Sequence, residues 1–217
     1  MIDHDGGGHP GPLLAVLDDA RTLGFLGPGP VLPQLEHAEA FLPLLEAEGT
    51  AEGPFLDLGS GGGIPGLVLA VALPLSRWVL LDSMVRRASF LDDAVERLAL
   101  GARVRVVNAR AEDVGRDPTH RMRYRSVVAR SFAAPPVVAE CAAPLLQRGG
   151  TAIVSEPPAT GDGPIDGRWP EPGLRSLGLS LDRWVAGPPS FARLCQIDRC
   201  PRTYPRAVGI PSRDPLW

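Results

Sequence analysis

The sequence predicts an α/β protein: a doubly wound parallel sheet covered by helices on both faces, with a short N-terminal helical extension. Three observations lead there. From Pro54 onward, short apolar runs alternate with amphipathic stretches, the pattern of buried strands joined by helical crossovers. The first of those runs, FLDL, leads straight into the glycines of GSGGGIPG. Finally, 217 residues, 44% hydrophobic and 22% charged, suffice for one ordinary domain with a buried core. A second full domain is not expected, and a wholly disordered chain is excluded.

Residues 1–12, mostly Gly, His and Pro with little to bury, are expected to be a disordered tail. Residues 13–50 are expected to form N-terminal helices. Over 12–23 and 32–48, apolar residues recur at helical spacing (Leu13, Leu14, Leu17; Leu35, Ala38, Phe41, Leu42, Leu45), separated by the breaker GPGP at 27–30. Pro43 should kink or end the second helix. The sheet domain occupies 51–217. Its strands are FLDL, WVLLD, VRVVN, YRSVVA and TAIVS, and its helices include 84–100 and 135–146. Residues 156–173 read as a Pro/Gly-rich loop, 177–185 and 191–197 as added edge strands, and the tail from about 201 as an ordered, irregular arm.

All 22 basic residues are arginine. Without lysine there is no Walker loop, Schiff base or Tyr/Lys redox dyad, which excludes kinases and pyridoxal enzymes. Cys141, Cys195 and Cys200, an odd number in a chain too large to need staples, read as free thiols in a reducing compartment, the cytoplasm. They lack His or Cys partners at zinc spacing, so no metal is expected. No stretch approaches about 18 unbroken apolar residues, and MIDHDGGGHP has acids and glycines where a signal peptide needs cations and an apolar run. Neither membrane insertion nor export is expected, and the chain is read as a monomer.

The net charge of −3 hides an asymmetry: residues 1–102 carry −9, 103–130 carry +5, 131–192 carry −2 and 193–217 carry +3. Brought to one face, the two cationic segments would bind a polyanion, because the local field captures phosphates; the alternative is solvated surface.

The most informative segment is FLDLGSGGGIPG, residues 55–66, a strand entering glycines and then a helix whose first turn holds Pro65. Glycine allows a left-handed backbone and close approach to a ligand, and the helix start offers unpaired N–H groups. Two ligands compete. Gly61, Gly63 and Gly66 spell G-x-G-x-x-G, and Asp82 follows Gly61 by 21 residues, which meets the Rossmann dinucleotide fingerprint. Asp57, two residues before Gly59, favours S-adenosylmethionine, whose ammonium wants an anion and which has no pyrophosphate to repel. Gly59, Ser60, Gly61 and Gly63 would line that cofactor. Asp82 would accept the ribose hydroxyls, unless it or Ser83 serves only as a helix cap. Glu112 or a neighbouring backbone group, after Ala111, would read the adenine amine. Asp57, Asp82, Glu112 and Arg130 all fall at the carboxyl ends of strands, where open α/β sheets bind ligands.

These residues resemble the glucose-inhibited division protein B family of S-adenosylmethionine-dependent class I methyltransferases, which modify N7 of a guanine in small-subunit (16S) ribosomal RNA. FLDLGSGGGIPGLVLA is similar to the family's cofactor motif, LLDSMVRRASFLDDAVERL to its second strand and helix, NARAEDV to its adenine turn, VVARSFAAP to its fourth strand and YPRAVGIPSRDPL to its closing signature. The resemblance implies a Rossmann-like fold and cofactor contacts at Gly59, Ile64, Ala111, Glu112 and Arg130. Two departures stand out. The N-terminal helical part is short, with only His37 in QLEHAEAF similar to the family's His-containing stretch. Glu156 stands where members usually carry a lysine.

The chemistry suits a site without an obvious base. Guanine N7 has a lone pair and no proton, so in-line positioning supplies most of the acceleration. Arg130, Arg202 and Arg206 are candidates for phosphates or the guanine edge. Phe132 is the candidate to stack an extruded base, with a core role as its alternative. The rival functions are methylation of a small molecule, an NAD(P)-dependent oxidoreductase and a non-catalytic nucleotide-binding module.

Overall fold

The computed structural model describes residues 11–46, 52–157 and 167–217. The expected tail thus lies outside the described residues up to position 10, as does most of the Pro/Gly-rich loop. Seven strands form one sheet in the order β3-β2-β1-β4-β5-β7-β6. They are β1 (Phe55–Leu58), β2 (Trp78–Asp82), β3 (Val104–Asn108), β4 (Tyr124–Ala129), β5 (Leu146–Glu156), β6 (Leu179–Val185) and β7 (Ser190–Gln196). The first five run parallel, whereas β7 is antiparallel to both β5 and β6, so the sheet is mixed. Strand order reverses between β1 and β4, which opens a crevice at their carboxyl ends.

Period-two alternation sends the strand side chains to two faces. On one face Leu56, Leu58, Val127, Ala129 and Val154 pack under α6 (Ala111–Arg116), α7 (Pro135–Ala142) and α8 (Glu171–Ser176). On the other, Phe55, Trp78, Leu80, Val128 and Ile153 pack under α4 (Gly66–Ala72) and α5 (Val85–Arg97). The extension folds as α1 (Gly11–Thr22), α2 (Val31–Glu39) and α3 (Leu42–Glu46). It adds an outer layer in which Leu13, Leu17, Leu35 and Ala38 bury against Ile64 and Val68. Each such leucine contributes roughly 1.5–3 kcal/mol by leaving water.

Several boundaries differ from the sequence reading, each for a local reason. The break between α2 and α3 falls at Ala40–Phe41, and Pro43 sits in the first turn of α3, where its missing N–H costs nothing. Pro65 is the residue before α4 and not inside it. Helix α7 stops at Ala142 because Pro144 cannot donate to a continuing helix. Strand β5 starts earlier than TAIVS, through a register shift where Gly150 approaches the carbonyls of Arg125 and Tyr124. The C-terminal arm is irregular apart from α9 (Ile210–Arg213).

Candidate active site

At the switch point the chain turns out of β1 through Gly59, whose φ is +78° and where a Cβ would lie 2.6 Å from the Phe132 ring. Only glycine fits a left-handed residue this close to an aromatic. The N–H groups of Gly59 and Ser60 both donate to the Leu81 carbonyl at 2.9 Å, which fastens the bend to β2. Ser60 Oγ closes the turn on the Asp57 carbonyl at 3.1 Å.

The two carboxylates flanking the bend do different work. Asp82, 5% exposed, accepts the Gly61 N–H on Oδ2 and the Met84 N–H on Oδ1, each at 2.9 Å. It is therefore a brace for both the glycine bend and the turn that leads into α5; Ser83 is exposed, and no side chain caps α5 by a hydrogen bond. Each carboxylate oxygen has a second lone pair, so Asp82 keeps acceptor capacity toward the crevice. Asp57 lies beneath the bend, fully buried, and its Oδ2 accepts the Gly66 N–H at 2.9 Å. The sequence reading that Asp57 meets the cofactor's ammonium is corrected accordingly: the carboxylate supports the loop from below.

Burial pushes the Asp57 carboxyl up to about 7 from 3.8, offset in part by Ser60 and the Gly66 N–H, and its Oδ1 has no partner. Ionising it in the fold is costly, so its contribution to stability is best at low pH and is lost as pH rises toward 7. At about 1.4 kcal/mol per pH unit of displacement, the loss is several kcal/mol. Asp57→Asn, which keeps an acceptor for Gly66, is expected to gain stability over the unmodified protein as pH rises from about 4 to about 7, and to hold that gain above. Melting curves across this range check it; a difference that ignores pH contradicts it.

Three cavities meet around Gly59 and the segment 130–132. The first, about 350 Å³, runs from Asp82, Ser83 and Met84 past Ala109–Glu112 to Phe132 and Cys141. The second, about 270 Å³, lies over Gly59–Gly62 and Ile64 and is walled by Arg87, Arg130, Ser131 and, from the extension, Phe25, Leu26 and Gln34. The third, about 290 Å³, lies beside Arg130, Ser131 and Phe132 and reaches His37, Ser155, Glu156 and Trp169. Ser131 borders all three and holds φ at +55°, a left-handed conformation that costs a non-glycine residue energy and marks a constrained junction.

Phe132 is half-buried: one side packs toward the sheet core and covers Gly59, and the ring still borders the first and third cavities. Burial lowers the Arg130 guanidinium's pKa, against the pull of Asp57, without removing its charge. His37 Nε2 lies 2.7 Å from Ser155 Oγ, and burial, then Arg130, lowers its pKa to about 4, so the ring is neutral near pH 7.

The C-terminal arm closes the far wall. Glu112 Oε1 accepts the Gly209 N–H at 2.9 Å, and Ser212 lines the first cavity. Burial acts to raise the Glu112 carboxyl, but the N–H groups of Gly209 and Glu112 itself, with Arg110, outweigh it and lower the pKa. Glu112 is thus the arm's tether. Arg206 is not free for phosphate: its Nε and Nη2 lie 3.0 and 2.7 Å from the Glu140 carboxylate, and Nη2 also bonds the Asp214 carbonyl. Arg202 is exposed. The cationic segment 103–130 is also partly structural, since Arg103, Arg116 and Arg121 donate to backbone carbonyls. Cys141 and Cys200 are buried free thiols, and burial pushes the Cys200 thiol up to about 11.

The donor set discriminates between nucleotides. A dinucleotide would rest its pyrophosphate on the first N–H of α4, which the buried Asp57 carboxylate already takes. A nucleoside joined to an amino acid fits better: Asp82 for the ribose, the strand-end backbone near Ala111 for the base, and Arg130 or Arg87 for the carboxylate. Among the described residues no cluster of His, Cys, Asp or Glu could hold a metal, and no helix is long and apolar enough to cross a membrane. Sequence reasoning missed Ser131, Arg168 and Trp169; only a lone tryptophan in a Pro/Gly-rich stretch hinted at the last.

A family model described as rRNA small subunit methyltransferase G matches residues 37–156, more than half of the chain. The Ribosomal RNA small subunit methyltransferase G of Rubrobacter xylanophilus is 37% identical over 222 residues, covering 94% of this chain and 80% of the relative. Its namesake from Parasynechococcus marenigrum is 38% identical over 175 residues, covering 74% of this chain and 66% of the relative. Among solved structures, cofactor-bound Rv0187 from MTB superposes with a TM-score of 0.64 at 18% identity, covering 89% of this chain and 93% of that one. The antibiotic-resistance methyltransferase Kmr gives 0.53 at 19% identity, covering 71% and 91%. The two solved structures speak for the fold alone, whereas sequence identity along most of the chain speaks for descent. The chain belongs to the rRNA small subunit methyltransferase G (GidB) family, S-adenosylmethionine-dependent methyltransferases of the Rossmann-like class I fold.

Proposed function

We propose that this protein transfers the methyl group of S-adenosylmethionine to N7 of a guanine in small-subunit ribosomal RNA. The carrying observation is the shared wall of the cavities: Arg130 and Ser131 border both the space over the glycine bend and the third cavity, where an acceptor would enter, and Phe132 borders the third. The cofactor supplies an electrophilic methyl on sulfur. Asp82 and the backbone around Ala111 would hold its nucleoside end, and Arg130 its carboxylate. Guanine N7 presents a lone pair and needs no proton removed, so the protein's task is alignment. His37, neutral and tied to Ser155, suits a wall that positions and does not titrate. Phe132 would lie against the incoming base, where an aromatic face stabilises an unstacked nucleotide.

The test is tritiated methyl transfer to unmodified small subunits, naked rRNA and a metabolite extract in parallel. Label at guanine N7 in rRNA is expected; label confined to the metabolites would replace the reading with a small-molecule acceptor. Binding of rRNA should also weaken linearly in log–log salt plots, and loss of a phosphate-contacting Arg202 in Arg202→Ala should reduce that slope by about one. A slope that Arg202→Ala leaves unchanged would remove Arg202 from the RNA surface.

A further inference from the structure

Two residues that line the third cavity carry orphaned polar atoms that the transfer reaction does not use. Glu156 ends β5 with a side chain that is 0% exposed; Arg168 Nε donates to its Oε2 at 2.5 Å, and Oε1 has no hydrogen-bond partner. Trp169, 7% exposed, has no acceptor for its Nε1–H. A buried carboxylate oxygen or indole N–H left unsatisfied is destabilising, and such a group in a native fold calls for an explanation. Here both line a cavity that opens beside Arg130 and Phe132. A ligand in that cavity would supply the missing partners with a donor for Glu156 and an acceptor for Trp169.

Building on the proposed function, we infer that Glu156 and Trp169 select the acceptor base by reading the Watson–Crick edge of guanine. Guanine is the base that offers two adjacent donors there, N1–H and the N2 amine, beside the O6 acceptor. Glu156 Oε1 accepts from the donors and Trp169 Nε1 donates to O6. Adenine presents an acceptor at N1, and cytosine an acceptor at N3, each set against a carboxylate, which is repulsive. Uracil has one donor flanked by two carbonyls. A grip on this edge also fits the chemistry, since N7 belongs to the opposite, Hoogsteen edge and stays free to face the methyl donor. Arg168 fixes the orientation of the carboxylate through its Nε–H, which makes it a positioning residue. A lysine at position 156 has no acceptor lone pair and would lack this readout.

The proposal is tested by calorimetry on the full chain saturated with S-adenosylhomocysteine, titrated with GMP, IMP and AMP. GMP is expected to bind tightest, IMP, which lacks the N2 amine, more weakly, and AMP weakest, the full spread being about ten- to a hundredfold. Glu156→Gln should collapse that spread while S-adenosylhomocysteine affinity stays as it was; Trp169→Phe, which keeps a ring but loses the N–H, should bring GMP closer to AMP. A merely structural role would lower all three affinities together and leave their ratios intact. Equal binding of GMP and AMP by the unmodified protein, no GMP binding at all, or a GMP preference that survives Glu156→Gln overturns the inference. The readout needs no methyl transfer, so a guanine preference without rRNA methylation would fault the proposed RNA substrate and not the base reader.

Discussion

Arg206→Ala is expected to destabilise the protein by about 3–5 kcal/mol, the usual loss when one partner of a buried ion pair is removed. Glu140 on α7 has a side chain only 1% exposed, against 24% for Arg206. Both its oxygens depend on Arg206: Oε1 takes the backbone N–H at 2.8 Å and Nε at 3.0 Å, and Oε2 takes Nη2 at 2.7 Å. Those bonds to Glu140 are also the main cause of the raised Arg206 pKa. The further pair with Asp214, 82% exposed, adds little because water screens it. Truncating Arg206 strands a carboxylate inside the helix layer, whereas Arg206→Met with Glu140→Leu removes both charges and should recover much of the loss. Chemical denaturation measures both. The arm that Arg206 anchors carries Gly209 to Glu112 and Ser212 to the first cavity, so the single variant should weaken cofactor binding too. Unchanged stability in Arg206→Ala would mean that the arm is held elsewhere.

Asp82→Ala is expected to weaken S-adenosylmethionine binding by about 1–3 kcal/mol, the scale of a lost hydrogen bond to a charged group. The substitution removes the proposed ribose acceptor and at the same time frees the Gly61 and Met84 N–H groups, so the bend and the turn into α5 lose a common brace. Asp82→Asn is a sharper probe. Its amide turns one acceptor into a donor, which must then face either Gly61 N–H or Met84 N–H, and the loss should approach that of alanine. If Asp82→Asn binds as the unmodified protein does, the carboxylate is not the brace.

Much of the fold was legible because it rests on local signals. β1 to β4 were visible as apolar runs, and the bend as glycines after FLDL. The β6–β7 hairpin was visible as two apolar runs, although its antiparallel insertion beside β5 was not, since pairing partners leave no mark in a single strand's pattern. Charges were harder to read. Arg121 donates to the carbonyls of Tyr204 and Cys200 more than 75 residues away, and Arg206 to Glu140 66 residues away, so a count of arginines cannot separate an RNA-facing cation from a clamp. The roles of Asp57 and Asp82 diverged for the same reason: a carboxyl-end position places a residue near the crevice, but Asp57 points into the layer under α4 and Asp82 does not. His37 was noticed only as a weak likeness, although it crosses 118 residues to bond Ser155 and brings the short extension to the acceptor side.

The central claim is that the braced glycine bend holds a sulfonium nucleoside, the first N–H of α4 being taken by Asp57 and so withheld from a pyrophosphate. Parallel calorimetric titration of the unmodified protein with S-adenosylmethionine and NAD tests it most directly. Saturable binding of S-adenosylmethionine with no heat from NAD is the predicted result. Saturable NAD binding without S-adenosylmethionine binding would contradict it.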